Sequence, residues 1–208
     1  MEETKADQVK KTGTTTVGLV CKNGVVLASD KRATMGYYIA SKDVQKIEKI
    51  NDRIAMTLAG GVGDAQSLVR WMRAEIKLYE LKNQREMSVE AAATLLANIL
   101  SQYKFYPFFV QILIGGVDKT ARVFSVDMLG GATEEKYTAT GSGSPIAMGL
   151  IEELYKPELE TEEAIRVAVK AVNTAMKRDS ASGEGVTVML ITDKGADLLP
   201  EKEIRKYC

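Results

Sequence analysis

Apolar positions along this chain follow two rhythms, and each change of rhythm marks an element. Residues 15–21 and 25–30 are apolar and β-branched around Asn23-Gly24, a dipeptide suited to the turn of a hairpin. A second strand pair is predicted from Gln45 to Ile50 and from Arg53 to Ala59, joined at Asn51-Asp52. The period then lengthens. Ala65, Leu68, Val69, Met72, Ile76 and Tyr79 recur at helical spacing and predict an amphipathic helix over 64–82, with Asp64 as its N-cap. Asn83 to Glu86 is a polar break. Val89, Ala92, Ala93, Leu96, Ile99, Leu100 and Tyr103 then trace a second stripe over about 88–105.

Three strands follow, at 108–116, 121–127 and 134–140, separated by Asp118-Lys119 and Gly130-Gly131. Gly141-Ser142-Gly143-Ser144-Pro145 forms a loop, with Pro145 suited to a first helical turn, and the helix it opens stops at about Tyr155 before Pro157. Thr161 is predicted to cap the next helix, whose buried face is Ala164, Val167, Ala168, Ala171, Val172 and Ala175. After the turn over 178–183 come a strand at 186–192, a corner at Asp193-Lys194-Gly195 and a short last strand. The order is four strands, two helices, three strands, two helices, two strands. Strands do not alternate singly with helices, so a doubly wound parallel sheet is excluded in favour of an α+β arrangement, antiparallel sheets covered by helix pairs. No linker or repeat divides the chain, so a single domain is expected.

Composition narrows the chemistry. Lys+Arg equals Asp+Glu at 28 each, so no global field points to nucleic acid or an anionic membrane. The apolar runs are too short to span a bilayer, and the mixed-charge opening MEETKADQVKKT does not read as a secretory signal. Two cysteines, Cys21 and Cys208, fit a reduced cytoplasmic setting better than a disulfide framework. The chain has no histidine. Ser-His and Cys-His mechanisms and a histidine metal site are therefore excluded, and neither metal nor cofactor is expected. A hydrolase built from this chain must take its base from a lysine, a carboxylate or an α-amine.

Thr14-Thr15-Thr16 directly after Gly13 bears on that requirement. Threonine suits an edge strand, and that is one reading. The other is that a cut between Gly13 and Thr14 gives Thr14 a free α-amine beside its own hydroxyl. Such an amine has a reference pKa of ~7.7–8.0, and the pairing activates a weak hydroxyl nucleophile. Lys46 reads either as an exposed strand lysine or as a cation that stabilises the nucleophile's oxyanion, with Asp30 as its partner. Gly60-Gly61-Val62-Gly63 matches neither a dinucleotide fingerprint nor a P-loop. An N–H at such a strand-to-helix junction serves equally well as an oxyanion donor. Ser142, Asp179 and Ser182 lie in Ser/Gly-rich turns, where site residues gather.

Taken together, GTTTVG, SDKRAT, the lysine of VQKIEKI, AGGVGDAQ, TGSGSP and RDSASG resemble the catalytic β-subunits of the 20S proteasome, most closely the archaeal kind, over essentially the whole chain. The resemblance implies an N-terminal-nucleophile hydrolase fold, a four-layer αββα sandwich. It implies a threonine endopeptidase whose residues 1–13 are a propeptide removed by autocleavage at Gly13-Thr14, leaving residues 14–208 as the mature domain. Thr14 would be the nucleophile, with Asp30 and Lys46 completing the core of the site. Ser142, Asp179 and Ser182 would position the amine, and the Gly60 N–H would bind the oxyanion. Ala33, Val44, Leu58 and Val62 would form an apolar, uncharged pocket that favours cleavage after hydrophobic residues. Thr34 and Gly60 would pair with the substrate backbone. The partners implied are heptameric β-rings stacked in pairs, α-subunit rings, an ATPase acting indirectly, and unfolded polypeptide substrates. The Thr14–Lys46 pair speaks against a non-catalytic ring subunit of the same fold, and GSGSP with RDSASG against a sixfold bacterial relative.

Overall fold

A computed structural model describes residues 13–207. Two five-stranded antiparallel sheets face each other. The first has the order β10-β1-β2-β11-β12 and the second β5-β6-β7-β8-β9, with β3-β4 a separate two-stranded ribbon. The strands are β1 (Thr16–Cys21), β2 (Gly24–Asp30), β3 (Ala33–Met35), β4 (Tyr38–Ser41), β5 (Ile47–Lys49), β6 (Ile54–Gly60), β7 (Val110–Val117), β8 (Ala121–Val126), β9 (Ala132–Glu135), β10 (Tyr137–Thr140), β11 (Val186–Thr192) and β12 (Gly195–Leu198). The helices are α1 (Val62–Asn83), α2 (Val89–Gln102), α3 (Ser144–Leu154), α4 (Thr161–Met176) and a short α5 (Glu201–Ile204).

Three apolar interfaces hold four layers together. Leu68, Met72 and Ile76 of α1 and Leu96 and Leu100 of α2 pack on Met56, Ile112 and Ile114 of the second sheet. Val167, Ala168, Ala171 and Val172 of α4 pack on Val17, Leu19, Val26 and Ala28 of the first. Val25, Leu27, Ile47, Ala55, Val123 and Met189 fill the space between the sheets. β2 is central in its sheet, with a helix layer on one face and the other sheet on its second face. Every one of its residues is accordingly buried, which is why it reads as a continuous apolar run rather than an alternating one. The result is the αββα sandwich.

Local details depart from the sequence reading. The strand expected over 134–140 is two strands. β9 pairs with β8 in the second sheet, whereas β10 pairs with β1 in the first, and the chain crosses between sheets at Lys136. Twelve strands stand among the described residues where nine were expected, because that segment divides and because β3 and β4 form a ribbon paired only to itself. β7 begins at Val110 rather than at 108. Asp64 is not the N-cap of α1: Gly61 holds that position, and Asp64 Oδ2 instead accepts the Phe109 N–H at 3.0 Å. Thr161 lies inside α4, whose cap is Glu160.

Candidate active site

The ends of β1, β2 and β6 and the loops before α3 and β11 meet at one edge of the sandwich, around the three threonines. Each threonine has a separate environment. The Thr14 backbone N–H donates to Ser142 Oγ at 3.1 Å. Thr15, turned to the opposite face, is 2.7 Å through its hydroxyl from Ser182 Oγ. Thr16 Oγ1 reaches between the sheets, 3.1 Å from Thr57 Oγ1 and 2.6 Å from Thr140 Oγ1. The buried hydroxyls of Thr15 and Thr16 are thus paired, as burial requires. Thr14 Oγ belongs to a residue that lines an open pocket instead.

Two charged clusters flank Thr14. On one side Ser142 Oγ and Ser182 Oγ each donate to Asp179 Oδ2 at 2.6 Å. A hydroxyl has one proton to give, so Ser182 accepts from Thr15 while donating to Asp179. A connected path therefore runs from the Thr14 nitrogen through Ser142 to a carboxylate. On the other side the buried Asp30 carboxylate is saturated. Its Oδ1 accepts from Lys46 Nζ at 2.7 Å and from Thr15 N at 3.0 Å. Its Oδ2 accepts from Arg32 N at 3.1 Å and Gly183 N at 2.9 Å. With both oxygens doubly engaged, Asp30 has no acceptor position left, and Lys46 is one of the four donors that it holds. Burial pushes the Lys46 ammonium below the usual lysine value of 10.5, and the adjacent Asp30 carboxylate opposes that shift.

The structure brings the predicted pocket residues together. Ala33, Thr34, Val44, Leu58, Gly60 and Val62 line one pocket with Gly13, Thr14 and Lys46. Thr34 Oγ1 accepts the Gly13 N–H at 3.0 Å, so the residue before Thr14 is hydrogen-bonded to a side chain of β3. A Cβ on Gly13 would come within 1.8 Å of the Ala181 Cβ, so no larger residue fits there without displacing that turn. Gly60 has φ +116°, and a Cβ there would meet the Phe109 carbonyl oxygen at 2.0 Å.

The pocket is not wholly uncharged, which corrects the sequence reading. Gln45, Glu48, Ala65 and Gln66 also line it, and Glu48 Oε2 is ion-paired with Arg73 Nη2 at 2.8 Å. Glu48 follows Lys46 by two strand positions, so strand periodicity was the signal that could have found it. Arg73 comes from a helix and carried no such signal. Among the described residues no group of three or more His, Cys, Asp or Glu side chains is placed to hold a metal ion, and no helix is long and apolar enough to cross a membrane.

Comparison with known proteins bears on what this arrangement does. A family model described as "Proteasome subunit" matches residues 10–191. A protein named "Proteasome subunit beta" from Archaeoglobus profundus is 54% identical over 202 residues, covering 96% of this chain and 94% of its own. Its namesake from Ferroglobus placidus is 54% identical over 199 residues, 94% of either chain. That from Methanoregula boonei is 52% identical over 202 residues, 96% of this chain and 95% of its own.

Proposed function

The chain belongs to the proteasome subunit family, and from that premise we propose that it is a β-type threonine endopeptidase subunit whose nucleophile is Thr14. One observation carries the assignment of roles. The nitrogen of Thr14 is hydrogen-bonded to Ser142, itself bound to Asp179, while Thr14 shares its pocket with the Asp30-anchored Lys46.

In the precursor that nitrogen is the Gly13–Thr14 amide. Thr14 Oγ attacks the Gly13 carbonyl carbon, the C–N bond breaks, and the Gly13 acyl group passes to Oγ as an ester. Water then hydrolyses the ester and residues 1–13 depart, of which 1–12 lie outside the described residues. Thr14 is left with a free amine at the position that now donates to Ser142. In peptide cleavage this amine takes the Oγ proton as Oγ adds to the scissile carbonyl, and the Gly60 N–H is the donor assigned to the oxyanion. The amine returns the proton to the departing nitrogen. Water, deprotonated by the same amine, releases the acyl group. Lys46 stabilises negative charge at Oγ, and Asp30 keeps Lys46 in place. Ala33, Val44, Leu58 and Val62 favour an apolar residue before the scissile bond, and Thr34 and Gly60 hold the substrate backbone as an added strand.

Proteasome subunits work inside an assembled particle. Here that means seven-membered β-rings, paired face to face and covered by α-rings, in the cytoplasm, with unfolded chains delivered by a separate ATPase. Replacement of Thr14 by Ala tests the nucleophile: the assembled variant should retain residues 1–13 in its intact mass and cleave no peptide. Loss of the leader without added protease would defeat the assignment.

A further inference from the structure

The pocket beside Thr14 changes character along its length. Lys46 and Glu48 stand two residues apart at the β5 edge and both line it. Two strand residues span about 6.6 Å, so Glu48 lies that much farther along the strand than Lys46. Helix α1 repeats the order, with Val62, Ala65 and Gln66 facing the pocket. Arg73, two turns beyond Gln66, pairs with Glu48. The cation near Thr14 is already held by Asp30, the middle is apolar, and the far end carries a carboxylate. Glu48 makes its ion pair through Oε2, leaving Oε1 without a protein donor among the described residues. A carboxylate accepts several donors at once, so the Arg73 pair does not exhaust it.

We propose that Glu48 determines specificity at this pocket, so that cleavage follows arginine, and lysine to a lesser degree, as well as apolar residues, and is disfavoured after acidic ones. A leucine or phenylalanine side chain ends in the apolar middle. An arginine lays its methylene stem along Val44, Leu58 and Ala65 and places its guanidinium on Glu48 Oε1, a charge-assisted hydrogen bond in a partly desolvated site. An acidic side chain would meet Glu48 instead. This inference rests on the assignment of Thr14 as nucleophile.

The test uses the assembled particle with its α-subunits and four fluorogenic tetrapeptides that differ only before the scissile bond: arginine, citrulline, leucine and glutamate. Citrulline has the shape of arginine without its charge. Wild-type kcat/KM should be about tenfold higher for arginine than for citrulline, roughly the effect of one charge-assisted bond, and lowest for glutamate. Glu48→Gln should lower the arginine-to-leucine ratio by about tenfold, and Lys77→Ala, a change at an exposed helix position, should leave that ratio alone. Equal rates for arginine and citrulline overturn the proposal even if Glu48→Gln fails to assemble. So does glutamate cleaved as fast as arginine, or an unchanged ratio in Glu48→Gln. A wild-type particle that turns over none of the four overturns the Thr14 assignment as well, whereas good cleavage after leucine without an arginine preference removes only the role of Glu48.

Discussion

Lys46 Nζ lies 2.7 Å from Asp30 Oδ1, with both side chains almost wholly out of solvent, so neither charge can be removed without stranding the other. Lys46→Met should slow leader removal and, in chains made to begin at Thr14, reduce peptide turnover by about 10²–10³-fold, the scale of losing one preorganised electrostatic contact. A variant with wild-type turnover would rule the role out. The pH dependence of folding separates this charge from the rest. Burial holds Lys46 below 10.5 in the folded chain, so between its folded value and 10.5 the unfolded chain binds the extra proton. Stability then rises with pH through that interval. The difference in urea midpoint between wild type and Lys46→Met should accordingly move in favour of wild type as the pH climbs towards 10.5. A pH-independent difference would show that burial does not lower this ammonium. The sequence reading named Asp30 as a partner for Lys46 but gave no sign of how deeply the pair is buried. Lys46 and Lys49 look alike in VQKIEKI, and only the fold shows one buried at 4% exposure against Asp30 and the other paired to the exposed Asp52.

At the scale of elements, periodicity worked where one face of an element meets one layer. The stripes on α1, α2 and α4 are the residues that fill the two outer interfaces. It failed where the chain changes partner. The segment 134–140 keeps a strand rhythm, yet it leaves one sheet for the other at Lys136, and no local signal reports a change of sheet. The β3–β4 ribbon pairs only with itself and its exposed residues carry little alternation, so hydrophobic pattern had nothing to register, although β3 supplies Ala33 and Thr34 to the pocket. Caps were not legible: Asp64 and Thr161 were expected at the starts of α1 and α4, where Gly61 and Glu160 stand without a side-chain cap bond. The start of α2 is held by Ser88, whose Oγ accepts the Ala91 N–H at 3.2 Å, and by Asp118 Oδ2, which accepts the Val89 N–H at 3.0 Å. Ser88→Ala should cost about 1 kcal/mol in chemical denaturation, the usual effect of losing an N-cap. A change below about 0.3 kcal/mol would mean that Asp118 alone satisfies the helix start.

For the whole molecule, the motifs that carry the family resemblance lie largely in and around the loops of the site, whereas the surfaces that join subunits bear no comparable signature in sequence. The structure does display exposed apolar side chains, the surface character that a partner covers. The connection between α2 and β7 is braced at its two ends, because the Tyr103 ring stands edge-on to Trp71 at 6.0 Å and to Phe108 at 5.1 Å. Between those anchors Phe105 and Tyr106 are 82% and 89% exposed. A net charge of zero offers no long-range repulsion to keep such side chains apart in solution. Large aromatics displayed on a braced segment gain about 1.5–3 kcal/mol each when a partner covers them, at little entropic cost because the segment is already ordered. Replacing Phe105 and Tyr106 together with serine should therefore leave the circular dichroism of the subunit unchanged while lowering the fraction that sediments as full particle. Peptide turnover should fall in proportion to that fraction. If assembly proceeds at the wild-type rate, the 104–107 segment faces solvent in the particle, and the contacts between subunits must be sought on the β3–β4 ribbon, where Tyr38 is 68% exposed.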